Sequence, residues 1–264
     1  MNLADLLHAA CASSPTQVQI PEHWGQGRAT FGGLLAACLF EKIRPRVAAE
    51  RALRSLMVSF IAPVAAGALD VQVRVLREGK AATQVQATAY QDDQPCVVML
   101  ASFGGDRSSS VTVEALTAPH FEAPETVTPF PFIPGLTPDF TQYFDYRYAV
   151  GKMPFMGGRE PHLGGWIRLR EAGPQAAGVA ELLCLLDAWP PAVFSLLKAP
   201  ASGSSLTWSI GFVEQPADCS GGDWWQYLAD IRQAANGYSH IDATLWDRHG
   251  RTALLSRQTV SVFA

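Results

Sequence analysis

The chain has 264 residues, 48% of them hydrophobic and 17% charged, with a formal net charge of −4. Such a composition builds a substantial core and is unlike a disordered one, and the absence of a basic stripe interleaved with aromatics argues against a nucleic-acid partner. Five scattered cysteines (Cys11, Cys38, Cys96, Cys184, Cys219) form no C-x-x-C pair, no basic leader opens the N-terminus, and no segment reads as long and apolar enough to span a bilayer, so we expect a soluble cytoplasmic protein with no membrane partner.

Met1–Cys11 predicts a short helix, with Leu3, Leu6, Leu7 and Ala10 at helical spacing and Ser13–Pro15 as its stop. Gln17–Ile20 reads as a strand and Pro21–Arg28 as a loop. Thr30 is the candidate cap of a second helix, Gly32–Ile43, whose run from Leu34 to Phe40 is apolar on nearly every face. A helix of that kind is buried on all sides. It ends near Arg44, because Pro45 disfavours helix in the residue before it. Four strands follow, Leu53–Ile61, Leu69–Arg77, Ala81–Gln91 and Cys96–Phe103, with hairpin turns at Arg77–Lys80 and Asp92-Asp93. The alternation of Val71, Val73 and Val75 predicts a half-buried antiparallel sheet.

Gly104–Asp139 carries Pro119, Pro124, Pro129, Pro131, Pro134 and Pro138, a density that suits neither helix nor central strand and reads as an extended connector. Beyond it, Phe140–Ala149 and Gly165–Arg170 read as strands and Val179–Leu197 as a second apolar helix. Strands Ser205–Val213, Trp224–Gln233, Tyr238–Trp246 and Thr252–Phe263 complete the chain, with a turn at Asp247–Gly250.

The second half repeats the first. Phe60, Ala87, Thr88 and Tyr90 find counterparts in Phe212, Ala243, Thr244 and Trp246, with a four-residue insertion placed around Asp223–Asp230. A buried helix wrapped by an antiparallel meander is the hotdog architecture. Two in tandem make an α+β double hotdog, whose joined sheets remove exposed edges and leave a pocket at the seam. The expected division is 1–110 for the first hotdog, 111–138 for the Pro-rich connector and 139–264 for the second.

Several chemistries lack their signatures. No G-x-S-x-G elbow is present, and Gly32-Gly33 and Gly164-Gly165 are isolated doublets, not phosphate-cradling loops. The six histidines are dispersed without metal-ligand spacing, and His240 reads as a core or surface residue on a strand. No metal and no cofactor is expected.

Three segments resemble the acyl-CoA thioesterase II (TesB-like) family and its thioesterase-like relatives. They are Thr30-Phe31-Gly32-Gly33; Leu56–Pro63 leading through Leu76–Lys80 to Ala101-Ser102-Phe103; and, in the second half, Gly165–Arg168, Leu185–Ala188 before Pro190-Pro191, Ser205-Leu206-Thr207 and Ser256-Arg257-Gln258. The resemblance implies hydrolysis of fatty acyl-CoA by an Asp, a Thr or Ser, and a Gln converging on one water, which fall here on Asp187, Ser205 and Gln258. Where the family often has T-[IL]-D, this chain has Ser205-Leu206-Thr207. Either Ser205 or Thr207 can therefore supply the hydroxyl.

Read from the residues themselves, Asp187 is a carboxylate in an otherwise apolar run, costly unless paired or functional, and its bland reading is a solvent-facing helix edge. Gln258 and Ser205 likewise read as ordinary strand polarity. A thioester needs only a positioned water and a general base, Asp187, with backbone N–H groups at a helix N-terminus for the oxyanion. Gly32 and Gly33 permit close backbone approach at the first such terminus, which reads as a second, degenerate site. Ser102 stands where Gln258 stands in the second half, an asymmetry that argues for one competent site per chain. Trp208, Trp224, Trp225 and Trp246 are available to line an acyl tunnel or are plain core. The alternatives are an acyl-CoA hydratase or dehydratase, disfavoured because neither core helix contains a His, and a non-catalytic acyl-CoA-binding protein, kept open by Thr207. A homodimer is expected.

Overall fold

A computed structural model describes residues 3–12 and 14–264. The expected first helix is present as α1 (Leu3–Ala12); Met1, Asn2 and the Ser13 of its stop lie outside the described residues. Then come β1 (Gln17–Ile20), β2 (Gly25–Gln26), β3 (Ala29–Thr30), α2 (Gly32–Ile43), β4 (Ala52–Phe60), β5 (Gly67–Glu78), β6 (Ala82–Gln91) and β7 (Gln94–Gly104). The second half holds β8 (Pro129–Phe130), β9 (Phe144–Val150), β10 (His162–Leu169), α3 (Val179–Asp187), β11 (Ser202–Phe212), β12 (Trp225–Ala235), β13 (Tyr238–Trp246) and β14 (Thr252–Phe263).

Twelve of the strands form one antiparallel sheet in the order β1-β5-β6-β7-β4-β11-β14-β13-β12-β10-β9-β8. The halves meet at β4 and β11, where Leu56 lies opposite Ile210 and Val58 opposite Trp208. Outward from that junction the order is β7, β6, β5 on one side and β14, β13, β12 on the other, the same meander run twice. Helices α2 and α3 pack against each other under the inner face, which presents buried Leu56, Val58, Val85, Met99, Trp208 and Ile210. Both helices are buried almost throughout, as their unbroken apolar runs require. The fold is the expected double hotdog.

The structure departs from the sequence reading in several places. Thr30 does not cap α2: the cap position is Phe31, which makes no side-chain cap bond, while the Thr30 hydroxyl donates to the Val64 carbonyl at 2.8 Å. The second core helix ends at Asp187, ten residues short of Leu197. Pro190 and Pro191 interrupt it, and only a short 3-10 segment, Ala192–Leu196, follows. The run Val179–Leu196 does have the length and mean hydropathy (1.5) of a membrane span, against the reading that no segment does, but 78% of it is buried inside the molecule. Asp139–Tyr143 is a 3-10 turn, so the strand expected from Phe140 starts at Phe144. The four-residue insertion falls in the loop between β11 and β12, before Trp225.

The Pro-rich connector is extended, and it is tied down. The Leu116 carbonyl accepts from Trp246 Nε1 at 2.9 Å and from the Thr252 hydroxyl at 2.7 Å, the Pro119 carbonyl accepts from Gln226, the Glu122 carbonyl from Trp166 at 2.9 Å, and the Pro124 carbonyl from Arg147 at 3.1 Å. It thus crosses β14, β13, β12, β10 and β9 in turn, a strap across the second half of the sheet.

Candidate active site

Asp187 is the last residue of α3, where the helix stops because the prolines lie just ahead. Gln258 Nε2, on β14, donates to Asp187 Oδ1 at 2.8 Å, and the Gly33 backbone N–H donates to the same carboxylate. The N-terminus of α2 therefore abuts the C-terminal end of α3. Glycine is required for that approach: a Cβ on Gly32 would lie 2.9 Å from Asp187 Oδ2, and one on Gly33 would lie 3.1 Å from Asp187 Cβ and 2.5 Å from the Phe31 ring. Gly32 and Gly33 thus belong to the site of Asp187, not to a separate degenerate one.

Burial pushes the Asp187 carboxyl up to about 7, against the opposing pull of the Gln258 and Gly33 donors. The residue is half-buried while its neighbours Leu186, Ala188 and Trp189 are buried, so the carboxylate is set in an apolar wall. A carboxyl group poised near neutrality, held by two donors, can accept a proton from an adjacent water.

Ser205 and Thr207 end up on opposite faces. Ser205 lies opposite Val260 and Trp208 opposite Gln258, with the register slipping between Ser205 and Thr207. Residues facing each other across a ladder share a face, so Ser205 shares the inner face with Val260 and Gln258. Thr207, opposite Thr259 and Ser59, is exposed on the outer face and is not brought to the carboxylate. Among the described residues the Ser205 hydroxyl bonds neither Asp187 nor Gln258. His240 is likewise remote, exposed and facing Thr259 on the outer face.

An aromatic cage adjoins Asp187, and sequence reasoning missed it. Trp189 stacks on Tyr227 with ring centroids 5.0 Å apart and meets Tyr148 edge-on at 4.9 Å, while the Tyr146 hydroxyl donates to the Ala188 carbonyl at 3.1 Å. An apolar cavity of about 80 Å³ opens between Tyr146, Tyr148, Ala188, Trp189, Phe130 and Pro154. Burial raises the phenols of Tyr146 and Tyr227, and the nearby Asp187 charge adds to both. The tryptophans named as tunnel candidates each have other partners. Trp208 donates to Ser256 at 2.9 Å and Trp225 to the Ser220 carbonyl at 3.0 Å, Trp246 holds the strap, and Trp224 lies against the guanidinium groups of Arg147 and Arg168. The alternation of Tyr146 with Tyr148 and the position of Trp189 just after Asp187 were the available signals.

The first half offers a second carboxyl group at the matching helix position. Glu41 follows Cys38 by three residues as Asp187 follows Cys184, and burial raises it too. No glutamine faces it from the matching strand position, which is Ser102. Elsewhere Asp218, Cys219 and His249 bring ligand atoms within 4.8 Å of one another, but the Arg251 guanidinium pairs with Asp218 and Asp247 and supplies the cation there.

The fold and this carboxylate–glutamine pair define a double-hotdog protein with a candidate hydrolytic centre at the helix seam. The acyl-CoA thioesterase N-terminal domain profile matches residues 20–104 and the C-terminal domain profile matches residues 124–262, so the chain belongs to the acyl-CoA thioesterase family. No curated protein sequence matches it. Among solved structures, it is similar to a hotdog-fold protein of unknown function from Alicyclobacillus acidocaldarius (TM-score 0.84, 22% identity, 98% of each chain covered). It is also similar to the tesB protein of Mycobacterium avium subs paratuberculosis (0.78, 18%, 100% of each) and to the acyl-CoA thioesterase II TesB2 of Mycobacterium marinum (0.75, 15%, 94% of this chain and 93% of that one). At these identities the likeness is one of fold.

Proposed function

We propose that the protein hydrolyses the thioester of an acyl-CoA to a free acid and CoA, with Asp187 as general base. The observation that carries this reading is the hydrogen-bonded pair of Asp187 and Gln258 beside the Gly32-Gly33 terminus of α2, in a chain of the acyl-CoA thioesterase family. Asp187 removes a proton from a water held against it by Gln258, and the water oxygen attacks the thioester carbonyl carbon. The tetrahedral oxyanion collapses, the C–S bond breaks, and the thiolate recovers the proton from Asp187. No covalent enzyme intermediate is needed, because thiolate is a good leaving group. Backbone N–H groups and the dipole at the start of α2 favour the developing negative charge, and Ser205 is the hydroxyl on the correct face to orient the water.

The test follows free thiol released from a panel of acyl-CoAs of increasing chain length. Hydrolysis by the wild type that Asp187→Asn abolishes supports the reading. Binding without thiol release, or loss of a double bond without thiol release, replaces it with a binding protein or a hydratase.

A further inference from the structure

A second cavity lies outside the hydrolytic site. It has a volume of about 340 Å³ and is lined by Gly151, Lys152, Gly157, Gly158, Arg159 and Glu160. Lys198 borders it from the segment after the 3-10 turn, its stem packed on Gly157, where a Cβ would lie 3.0 Å from Lys198 Cγ. The chain has only four lysines, Lys42, Lys80, Lys152 and Lys198; Lys152 lines this cavity and Lys198 packs on Gly157 beside it.

The loop is held in place. Backbone N–H groups of Phe155, Gly157 and Gly158 donate to the carbonyls of Phe194, Leu197 and Ser195 at 2.8, 2.8 and 2.7 Å. Gly151, at φ 76°, packs so tightly on the His162 carbonyl that a Cβ would lie 2.2 Å from its oxygen. Three glycines thus leave part of the cavity wall as bare backbone, beside Lys152, Arg159 and Glu160. Most arginines of the second half are committed: Arg168 and Arg170 to Asp145, Arg232 and Arg257 to Asp242, Arg248 to Asp223, and Arg251 to Asp218 and Asp247. Lys152, Arg159 and Lys198 have no ion-pair partner among the described residues, and Glu160 pairs with none of them. Lys152 and Arg159 outnumber Glu160 in the lining, and with Lys198 beside it the local excess of positive charge favours an anion. A guanidinium fork with two ammonium groups is the donor set that phosphate oxygens take.

The same loop connects this cavity to the reaction centre. Pro154, between Lys152 and Gly157, lines the aromatic cavity together with Ala188 and Trp189, next to Asp187. We infer that Lys152, Arg159 and Lys198 bind the nucleotide phosphates of the acyl-CoA, with the pantetheine arm running past Pro154 to the thioester. This rests on the hydrolase reading for the identity of the ligand and adds its anchoring site.

The experiment titrates CoA, pantetheine (which lacks the nucleotide) and inorganic phosphate against the full chain, and compares hydrolysis of one acyl group on CoA with the same group on pantetheine. The triple variant Lys152→Gln, Arg159→Gln, Lys198→Gln should bind CoA at least about tenfold more weakly and lose the preference for acyl-CoA over acyl-pantetheine by a similar factor, through KM. Lys80→Gln, in the β5–β6 turn, is the control and should change neither. Should the triple variant not fold, Lys198→Glu alone, on an exposed side chain, must still weaken CoA. Unchanged CoA affinity and unchanged preference overturn the assignment, as does displacement of CoA by inorganic phosphate at equal concentration. A wild type that binds CoA through these residues but releases no thiol leaves the site standing and sinks the hydrolase reading instead.

Discussion

Ionising Asp187 works against folding, and that conflict is measurable. Its folded carboxyl sits at about 7 against an ordinary 3.8, so between those values the folded chain keeps a proton that the unfolded chain releases. The stability this contributes is complete below about pH 4 and is lost as pH rises through 7. Asp187→Asn should therefore gain stability relative to the wild type on moving from about pH 5 to about pH 8, by roughly 2–4 kcal/mol, as thermal melts at the two pH values would record. For catalysis the sign is the reverse: thiol release should rise with pH through a midpoint near 7 as the base ionises. Removing the donor in Gln258→Ala raises the carboxyl further, so the midpoint should move upward and the rate at neutral pH fall about ten- to a hundredfold; a pH–rate profile unchanged from the wild type would contradict this. Gly33→Ala drives a Cβ against the Phe31 ring at 2.5 Å and should cost about 1–3 kcal/mol in denaturant melts. The acid, the amide and the glycines were all recognisable as residues in the sequence. The family resemblance brought Asp187 and Gln258 together; that the glycines of α2 join them was not legible, because α2, α3 and β14 are far apart in the chain.

At the scale of elements, the apolar runs and the β alternation were legible because burial on all sides and burial on one side leave different periods. Boundaries were less so. The second helix was read through Trp189-Pro190-Pro191 because apolar composition continues beyond them, whereas the chain geometry of proline ends it at Asp187 and places the carboxylate at the seam. The slip of register between Ser205 and Thr207 was equally hidden, since a bulge has no periodic signature, yet it decides which hydroxyl faces inward. The strap is another element-scale feature. Its carbonyls take side-chain donors from five strands, so Trp246→Phe combined with Thr252→Val should free the Leu116 carbonyl, cost about 1 kcal/mol for each bond lost, and speed proteolysis within 105–125 relative to the wild type.

At the scale of the molecule, the two halves share one sheet through β4 and β11 and one interior through α2 and α3. A fragment spanning 1–110 would expose the β4 edge and the apolar face that α3 covers, a recipe for aggregation. The intact chain should unfold in one cooperative calorimetric transition, with the separated halves failing to fold; two resolved transitions would show the halves to be independent.

Local chemistry carries the duplication, the two buried helices, the paired meanders and the residue types of a water-activating centre, because hydrophobic period and proline content act over a few neighbours. Tertiary structure alone decided that Gly33 joins Gln258 on the Asp187 carboxylate, that Ser205 and not Thr207 lies on the inner face, that Trp189 builds a cage beside Asp187, and that Lys198 packs beside the cavity that Lys152 lines. Each of those depends on segments far apart in the chain meeting across the helix seam or the sheet, and contact at that distance leaves no periodic trace in the order of residues.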